Sequence, residues 1–347
     1  MKTEVPGLDV MGLTQWLDAA HPDLSLGPLN AQVITGGRSN LTYAVHGARI
    51  PLILRRPPLG HVLSSAHDMR REHRVISALA ETAVPVPRAI DVVDDSTAGA
   101  VTGTTFFVME RAPGQVLARP EQNRAYTARG LRTLSFALVE HLADLHMVEP
   151  ERVELGDFGS PRGYLARQLS TWRRQLDASR SREVPDLDAL QDSLAVGLPD
   201  DARSGIVHGD YRLDNALVIG TGDDPCISAI LDWEMATLGD PLVDLGIFAL
   251  YWDIGTVTGS PSGAFLTAVD ATAGYPPIDE LVDAYAARAG IAVPDLRWYC
   301  AFAAYKLAVI LEGIHYRYRA GDTIGEGFDS IGSLVEPISR HGRGLFS

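Results

Sequence analysis

The sequence predicts an α+β protein in which a small β-rich lobe precedes a larger helical one, and three observations carry that expectation. Five short β-like runs crowd the first 110 residues, with one helix inserted after the third. From Ala125 onward, apolar residues recur at helical spacing. Inside that helical half, two apolar segments, Asn215–Ile219 and Cys226–Leu231, bracket a Gly/Asp turn cluster and read as a hairpin. The change of character at Glu110-Arg111-Ala112-Pro113-Gly114 divides the chain into lobes of 1–110 and 111–347, with a short hinge.

In order, Asp9 to His21 has helical spacing through Val10, Leu13 and Leu17. Ala31–Thr35, Leu41–Val45 and Pro51–Arg55 read as strands. Between the first two lies Gly36-Gly37-Arg38-Ser39-Asn40, a turn whose backbone N–H groups can approach a phosphate, although a Gly-Gly turn by itself signals only a hairpin. His67–Glu81 reads as an amphipathic helix, with Met69, Val75, Ile76 and Leu79 inward and Glu72 on its surface. Arg88–Val93 and Thr104–Met109 complete the five strands.

The helical half begins with Ala125–Met147, Pro161–Ala178 and Asp186–Ala195. After the hairpin come Pro241–Trp252, Ile278–Ala289, Asp295 to about Arg319, and a last helix near Phe328–Ser339. Asp240-Pro241 reads as an N-cap acid followed by proline at the first helical position. Trp298, Tyr299, Tyr305, Tyr316 and Tyr318 fall at helical spacing and are expected mainly in the core.

Composition narrows the function classes. Of 30 basic and 44 acidic residues, 9 and 11 lie in residues 1–110, so the net charge of −14 resides almost wholly in the helical half. Such an acidic surface disfavours nucleic acid and anionic membrane as partners. Two cysteines, Cys226 and Cys300, make neither a disulfide framework nor a cysteine zinc site. The N-terminus lacks the pattern of a signal peptide and no apolar run has bilayer length, so a cytoplasmic setting is expected.

The chemistry gathers around the hairpin. Asp210 precedes it, Asn215 opens its first strand and Asp232 follows its second. Hard divalent cations take oxygen ligands, and Mg²⁺ in phosphate sites commonly takes one or two carboxylates plus substrate phosphates. A carboxylate just upstream of such a pair is placed to receive a proton from an attacking hydroxyl. The set points to phosphoryl transfer, which needs positioning and charge neutralisation more than covalent help. His141 and His146 lack the spacing of a one-face metal pair and are expected to pack or cap; His208 is expected to brace its loop.

His208-Gly209-Asp210-Tyr211-Arg212-Leu213-Asp214-Asn215, followed by Leu231-Asp232-Trp233-Glu234, resembles the catalytic loop and downstream metal-binding acid of the protein-kinase-like superfamily. With Gly239-Asp240-Pro241-Leu242-Val243-Asp244-Leu245 it is similar to the aminoglycoside phosphotransferase and choline kinase branch. Leu52-Ile53-Leu54-Arg55-Arg56-Pro57-Pro58 and the run from Arg70 to Leu79 resemble the kinase domains fused to acyl-CoA dehydrogenases and their stand-alone bacterial relatives. The resemblance covers about residues 28–320 and implies a two-lobed kinase fold, ATP as phosphoryl donor and Mg²⁺ as cofactor.

It further implies that Asp210 orients and deprotonates the acceptor hydroxyl, that Asn215 and Asp232 hold Mg²⁺, and that Gly37, Ser39 and Asn40 cover the ATP phosphates. Glu110 and Ala112 would meet the adenine edge through backbone groups. Arg212 would stabilise charge near the γ-phosphate, and Asp244 would fasten the catalytic loop. The superfamily's third strand ordinarily ends in lysine paired with a helix glutamate. Here the residue is Arg55, with Glu72 as its partner, and the chain's lysines are Lys2 and Lys306. Arginine keeps the charge but is planar and longer, so the exchange is not neutral by default.

The expected activity is therefore phosphorylation of a small-molecule hydroxyl. The acceptor is either a hydroxylated acyl or lipid-like metabolite, or an aminoglycoside or amino-alcohol. Acidic groups around the acceptor pocket would favour the cation; arginines and apolar walls would favour the acyl compound. A non-catalytic nucleotide-binding pseudokinase acting as a regulator is the alternative, and a phosphate-ester hydrolase ranks below it.

Overall fold

The computed structural model describes residues 5–34, 40–59, 68–200, 203–259, 267–321 and 330–346. The chain divides into two compact units: Met1–Pro113 with Ala229–Glu234, and Gly114–Ser228 with Met235–Ser347.

The first unit is built on one antiparallel sheet. Its elements are α1 (Val10–Ala20), β1 (Asn30–Val33), β2 (Leu41–His46), β3 (Leu52–Arg56), α2 (Met69–Leu79), β4 (Ala89–Asp94) and β5 (Thr105–Glu110). The strand order is β1-β2-β3-β5-β4. Tyr43 pairs with Leu54 and Leu54 with Val108, which sets a row of fully buried side chains across the sheet. Leu13 and Leu17 of α1 join that core. The helix starts where the Asp9 carboxylate accepts the Met11 and Gly12 N–H groups at 2.9 and 3.0 Å.

Asp68 caps α2 in the same way, accepting from Arg70 and Arg71 at 3.0 and 3.1 Å. The buried residues of α2 are Met69, Glu72, Val75, Ile76 and Leu79. The expectation that Glu72 lies on the surface is thus corrected. Three residues on from Met69 is Glu72 and four further on is Ile76, so the acid sits on the apolar stripe itself.

The second unit contains β6 (Gln115–Val116), α3 (Ala128–Met147), α4 (Tyr164–Ser179), α5 (Pro185–Val196), β7 (Gly205–Val207) and β8 (Ala216–Ile219). The chain continues through β9 (Cys226–Ile230), which ends in the first unit, and β10 (Thr237–Gly239). Then follow α6 (Leu242–Thr258), α7 (Ile278–Ala289), α8 (Arg297–Ala320) and α9 (Val335–Gly344). The hairpin strands extend into a sheet of order β6-β8-β9, while β7 pairs with β10 through Ile206 and Leu238.

Along most of their lengths α6 and α8 are buried on every side, as expected of helices apolar all round at the centre of a bundle. Tyr316 and Tyr318, near the end of α8, depart from the expected core set: they are 42% and 38% exposed. Helix α6 starts one residue later than expected, at Leu242, whose N–H donates to Asp240 Oδ1 at 3.0 Å. Among the described residues no helix is long and apolar enough to cross a membrane.

Candidate active site

In the second unit, the loop His208–Asn215 joins β7 to β8 and is fixed through its backbone. Gly209 has φ +87°, and a Cβ there would meet Met235 Cβ at 2.8 Å and the Met235 carbonyl oxygen at 2.9 Å, so the turn requires glycine. Asp244, fully buried on the first turn of α6, accepts the His208 N–H at 2.6 Å and the Gly209 N–H at 2.8 Å. His146 Nε2 lies 3.3 Å from the same carboxylate, and its Nδ1 lies 2.8 Å from the Tyr285 hydroxyl. Burial pushes the Asp244 carboxyl up, but His146, His208 and the Gly209 N–H together hold it below the ordinary carboxylate value. His146 caps this acid and His208 braces the loop, accepting the Asp210 N–H on Nδ1 at 3.2 Å.

Asp210 is partly exposed and held from two sides. Asn215 Nδ2 donates to its carbonyl at 2.8 Å and to Oδ2 at 2.9 Å. Arg212 Nε lies 3.3 Å from Oδ2, while its NH1 lies 3.0 Å from Asp214 and its guanidinium covers the Tyr251 ring at 4.7 Å. Asn215 commits its amide nitrogen to Asp210, so its amide oxygen is the atom it can offer a cation. Lys306 of α8 donates to the Gly209 carbonyl. Sequence reasoning did not assign Lys306, His146 or Tyr285 to this loop; the scarcity of lysine was the available signal for the first.

In the first unit, Arg55 links two acids. Its NH1 lies 2.6 Å from Glu72 Oε1, and its NH2 lies 3.2 Å from Asp232 Oδ1. Glu72 is 1% exposed, and burial raises its carboxyl to about 7 against the pull of Arg55. Asp232 follows β9 with φ +67°, in the left-handed region that few side chains tolerate. Two residues on, Glu234 Oε2 accepts Asn40 Nδ2 at 3.0 Å. Trp233 is buried, and its indole N–H donates to the Ile230 carbonyl at 3.0 Å, which anchors the turn carrying both acids.

The structure therefore brings Arg55, Glu72 and Asp232 together, pairs Asn40 with Glu234, and groups Asp210, Arg212 and Asn215. Glu110 stands apart from these: its carboxylate pairs with Arg88 Nε at 2.8 Å and its N–H donates to the Arg88 carbonyl at 2.8 Å. Ala112 is half-buried two residues on. Gly37 and Ser39 lie outside the described residues. Among those described, no group of three or more His, Cys, Asp or Glu side chains could hold a metal ion.

A family model for the phosphotransferase enzyme family matches residues 30–302. The chain belongs to that family. Mouse acyl-CoA dehydrogenase family member 10 is 32% identical over 316 residues, covering 91% of this chain and 29% of the relative. Human acyl-CoA dehydrogenase family member 11 is 32% identical over 315 residues, 88% of this chain and 38% of its own. The chain thus spans well under half the length of these relatives. A solved Ralstonia eutropha structure, named for aminoglycoside phosphotransferases, is 29% identical with a TM-score of 0.80 and covers 97% of this chain and 98% of that one. The GDP complex of an aminoglycoside 2'-phosphotransferase shares the fold, with a TM-score of 0.65 at 15% identity over 98% of this chain and 100% of that one.

Proposed function

We propose that the chain is an ATP- and Mg²⁺-dependent small-molecule kinase that transfers the γ-phosphate to a substrate hydroxyl. The observation that carries this reading is the Asp210 carboxylate, partly exposed on a loop whose backbone is pinned and held between Asn215 and Arg212. Asp210 would orient the acceptor hydroxyl and take its proton as the bond to phosphorus forms. Arg212, two residues on, would offset negative charge on the transferring group.

Asn215 and Asp232 would hold Mg²⁺. An amide and a carboxylate oxygen are hard ligands of the kind it prefers, and phosphate oxygens would complete the sphere. The ion would neutralise phosphate charge during transfer. Arg55, steadied by Glu72, would bond the α- and β-phosphates, with Gly37, Ser39 and Asn40 over them. The Glu110 N–H is already taken, so the adenine edge would meet the Glu110 carbonyl and the Ala112 backbone. Nucleotide binding would thus fall to residues 1–110, and catalysis and acceptor binding to 111–347, with Asp232 as the metal ligand that folds with the first unit.

For the acceptor we favour a hydroxylated acyl or lipid-like metabolite over an aminoglycoside or amino-alcohol. A shallow cleft in the second unit is lined by Arg212, Phe248, Tyr251, Trp252, Ile254 and Val269 among others. Apolar walls with an arginine suit an anionic or acyl compound; Asp214 is the acidic group on the lining. The Arg55–Glu72 pair speaks for a working phosphate site and against a pseudokinase. ADP release from Mg²⁺-ATP with a library of hydroxyacyl compounds, aminoglycosides and amino-alcohols tests the reading. Stimulation by a hydroxyacyl compound that Asp210→Ala abolishes is expected. If no acceptor raises release above that of the variant, the kinase reading fails and the nucleotide-binding alternative replaces it.

A further inference from the structure

Lys306 takes no part in the roles assigned above, yet its placement is costly. It lies midway along α8 between the buried Tyr305 and Leu307 and is itself 8% exposed. Taking an ammonium out of water is strongly unfavourable unless good partners replace the solvent. Its Nζ donates to the Gly209 carbonyl and lies 5.3 Å from the centre of the Trp172 ring. Burial lowers its affinity for the proton, Asp210 and Asp244 raise it, and Arg212 lowers it again.

The target of that donation is informative. Gly209 has more backbone freedom than any other residue type and is required here for clearance from Met235. Its N–H is held by Asp244 at 2.8 Å, and the next N–H, that of Asp210, is held by His208 at 3.2 Å. These bonds leave the Gly209 carbonyl as the remaining handle on the peptide from which Asp210 projects. Lys306 takes it.

We propose that Lys306 is a positioning residue for phosphoryl transfer, clamping the Gly209 carbonyl so that the Gly209–Asp210 peptide cannot rotate and the Asp210 carboxylate keeps its aim. The proposal rests on the kinase reading for its catalytic consequence, though the clamp itself stands on the contacts alone. A displacement of about 1 Å at a reacting group can cost on the order of 100-fold in rate. Clamping the base rather than the nucleotide should therefore act on kcat and spare binding.

The test compares Lys306→Met and Lys306→Arg in the full chain. Lys306→Met should lower kcat by about 10- to 100-fold. It should leave KM for the acceptor, and the Kd of Mg²⁺ with a non-hydrolysable ATP analogue, within about twofold, and should change Tm little, because relief of the buried ammonium offsets the orphaned Gly209 carbonyl. Amide exchange in peptides covering His208–Asp210 should quicken by about tenfold, the size expected for losing a charged hydrogen bond. Lys306→Arg should restore part of both. In an Asp210→Ala background Lys306→Met should cost no further rate, since the two act as a unit.

Unchanged exchange at His208–Asp210 overturns the clamp, as does unchanged kcat in an active enzyme. An additive loss in the Asp210→Ala background, or a kcat loss matched by losses of affinity and Tm, also overturns it. If the wild type turns over no acceptor, it is the kinase reading that fails, and the exchange measurement alone still decides whether Lys306 holds the loop.

Discussion

The two units hold their acids by different means. In the first, Arg55 ties Glu72 and Asp232 together by charge, at 2.6 and 3.2 Å. In the second, Asp210 is aimed by its backbone: Asp244 holds two N–H groups, His208 a third, and Lys306 a carbonyl. A charge-held site responds to pH and to the charge of what binds it. A site pinned through backbone bonds inside a buried network resists them and fails only when the network is cut. The difference suits the proposed division of labour, in which the first group must accept and release a charged nucleotide while the second must not move.

The comparison can be broken most severely at the acids themselves. Asp210→Ala should lower kcat by about 10²- to 10⁴-fold, the usual contribution of a general base, with nucleotide affinity little changed. Asp232→Asn should instead weaken metal-dependent nucleotide binding more than Asp210→Ala does, as read by titration calorimetry with and without Mg²⁺. Equal losses in the two variants would erase the distinction.

Next in size is the anchor. Asp244→Ala leaves the buried N–H groups of His208 and Gly209 without their acceptor, and each orphaned group costs about 1–3 kcal/mol. A large drop in the urea midpoint is expected, whereas a midpoint near that of the wild type would mean that the loop does not need its anchor.

The charge-held group should respond to pH. Glu72 must be ionised to grip Arg55, and its carboxyl titrates near 7 in the fold. Activity should therefore rise as pH climbs through about 7, and Glu72→Gln should lower activity and flatten that limb. Stability moves the other way. Between the ordinary carboxylate range and about pH 7, the folded chain keeps a proton that the unfolded chain has released, so raising pH across that window destabilises the fold. Melts of wild type and Glu72→Gln should diverge there, and parallel pH profiles would contradict the assignment.

Tyr285→Phe should have the smallest effect. It removes one hydrogen bond to His146, worth about 0.5–1.5 kcal/mol, at the far end of the chain that reaches Asp244. A slight fall in Tm with unchanged kcat is expected; a large kcat loss would show that the anchor is tuned rather than merely fastened.

Much of this was legible in the sequence because its signals are local. Alternation located the five strands of the first unit, and helical spacing located α7 as Ile278–Ala289. The spacing of Asp210, Asn215 and Asp232 marks them as candidate oxygen ligands. Strands β6, β7 and β10, of two or three residues each, are too short to show a period and exist through pairing with distant partners. Glu72 reads as a surface residue by charge alone; its burial depends on Arg55 arriving from β3. The return of Ala229–Glu234 to the first unit, and the reach of Lys306 to Gly209 across 97 residues, are tertiary facts without local pattern. Tyr316 and Tyr318 continue the spacing of α8 beyond the point where its neighbours still cover it.

The left-handed backbone at Asp232 narrows what the position can become. Asparagine and aspartate tolerate that conformation better than other side chains, and glycine adopts it freely. Glycine would remove the proposed oxygen ligand and glutamate would strain the turn, so among acids the shortest is favoured by the backbone alone. Asparagine keeps both the shape and an oxygen while discarding one unit of charge. Nature's vocabulary at this place is therefore nearly two letters long, and exchanging one for the other isolates electrostatics from geometry.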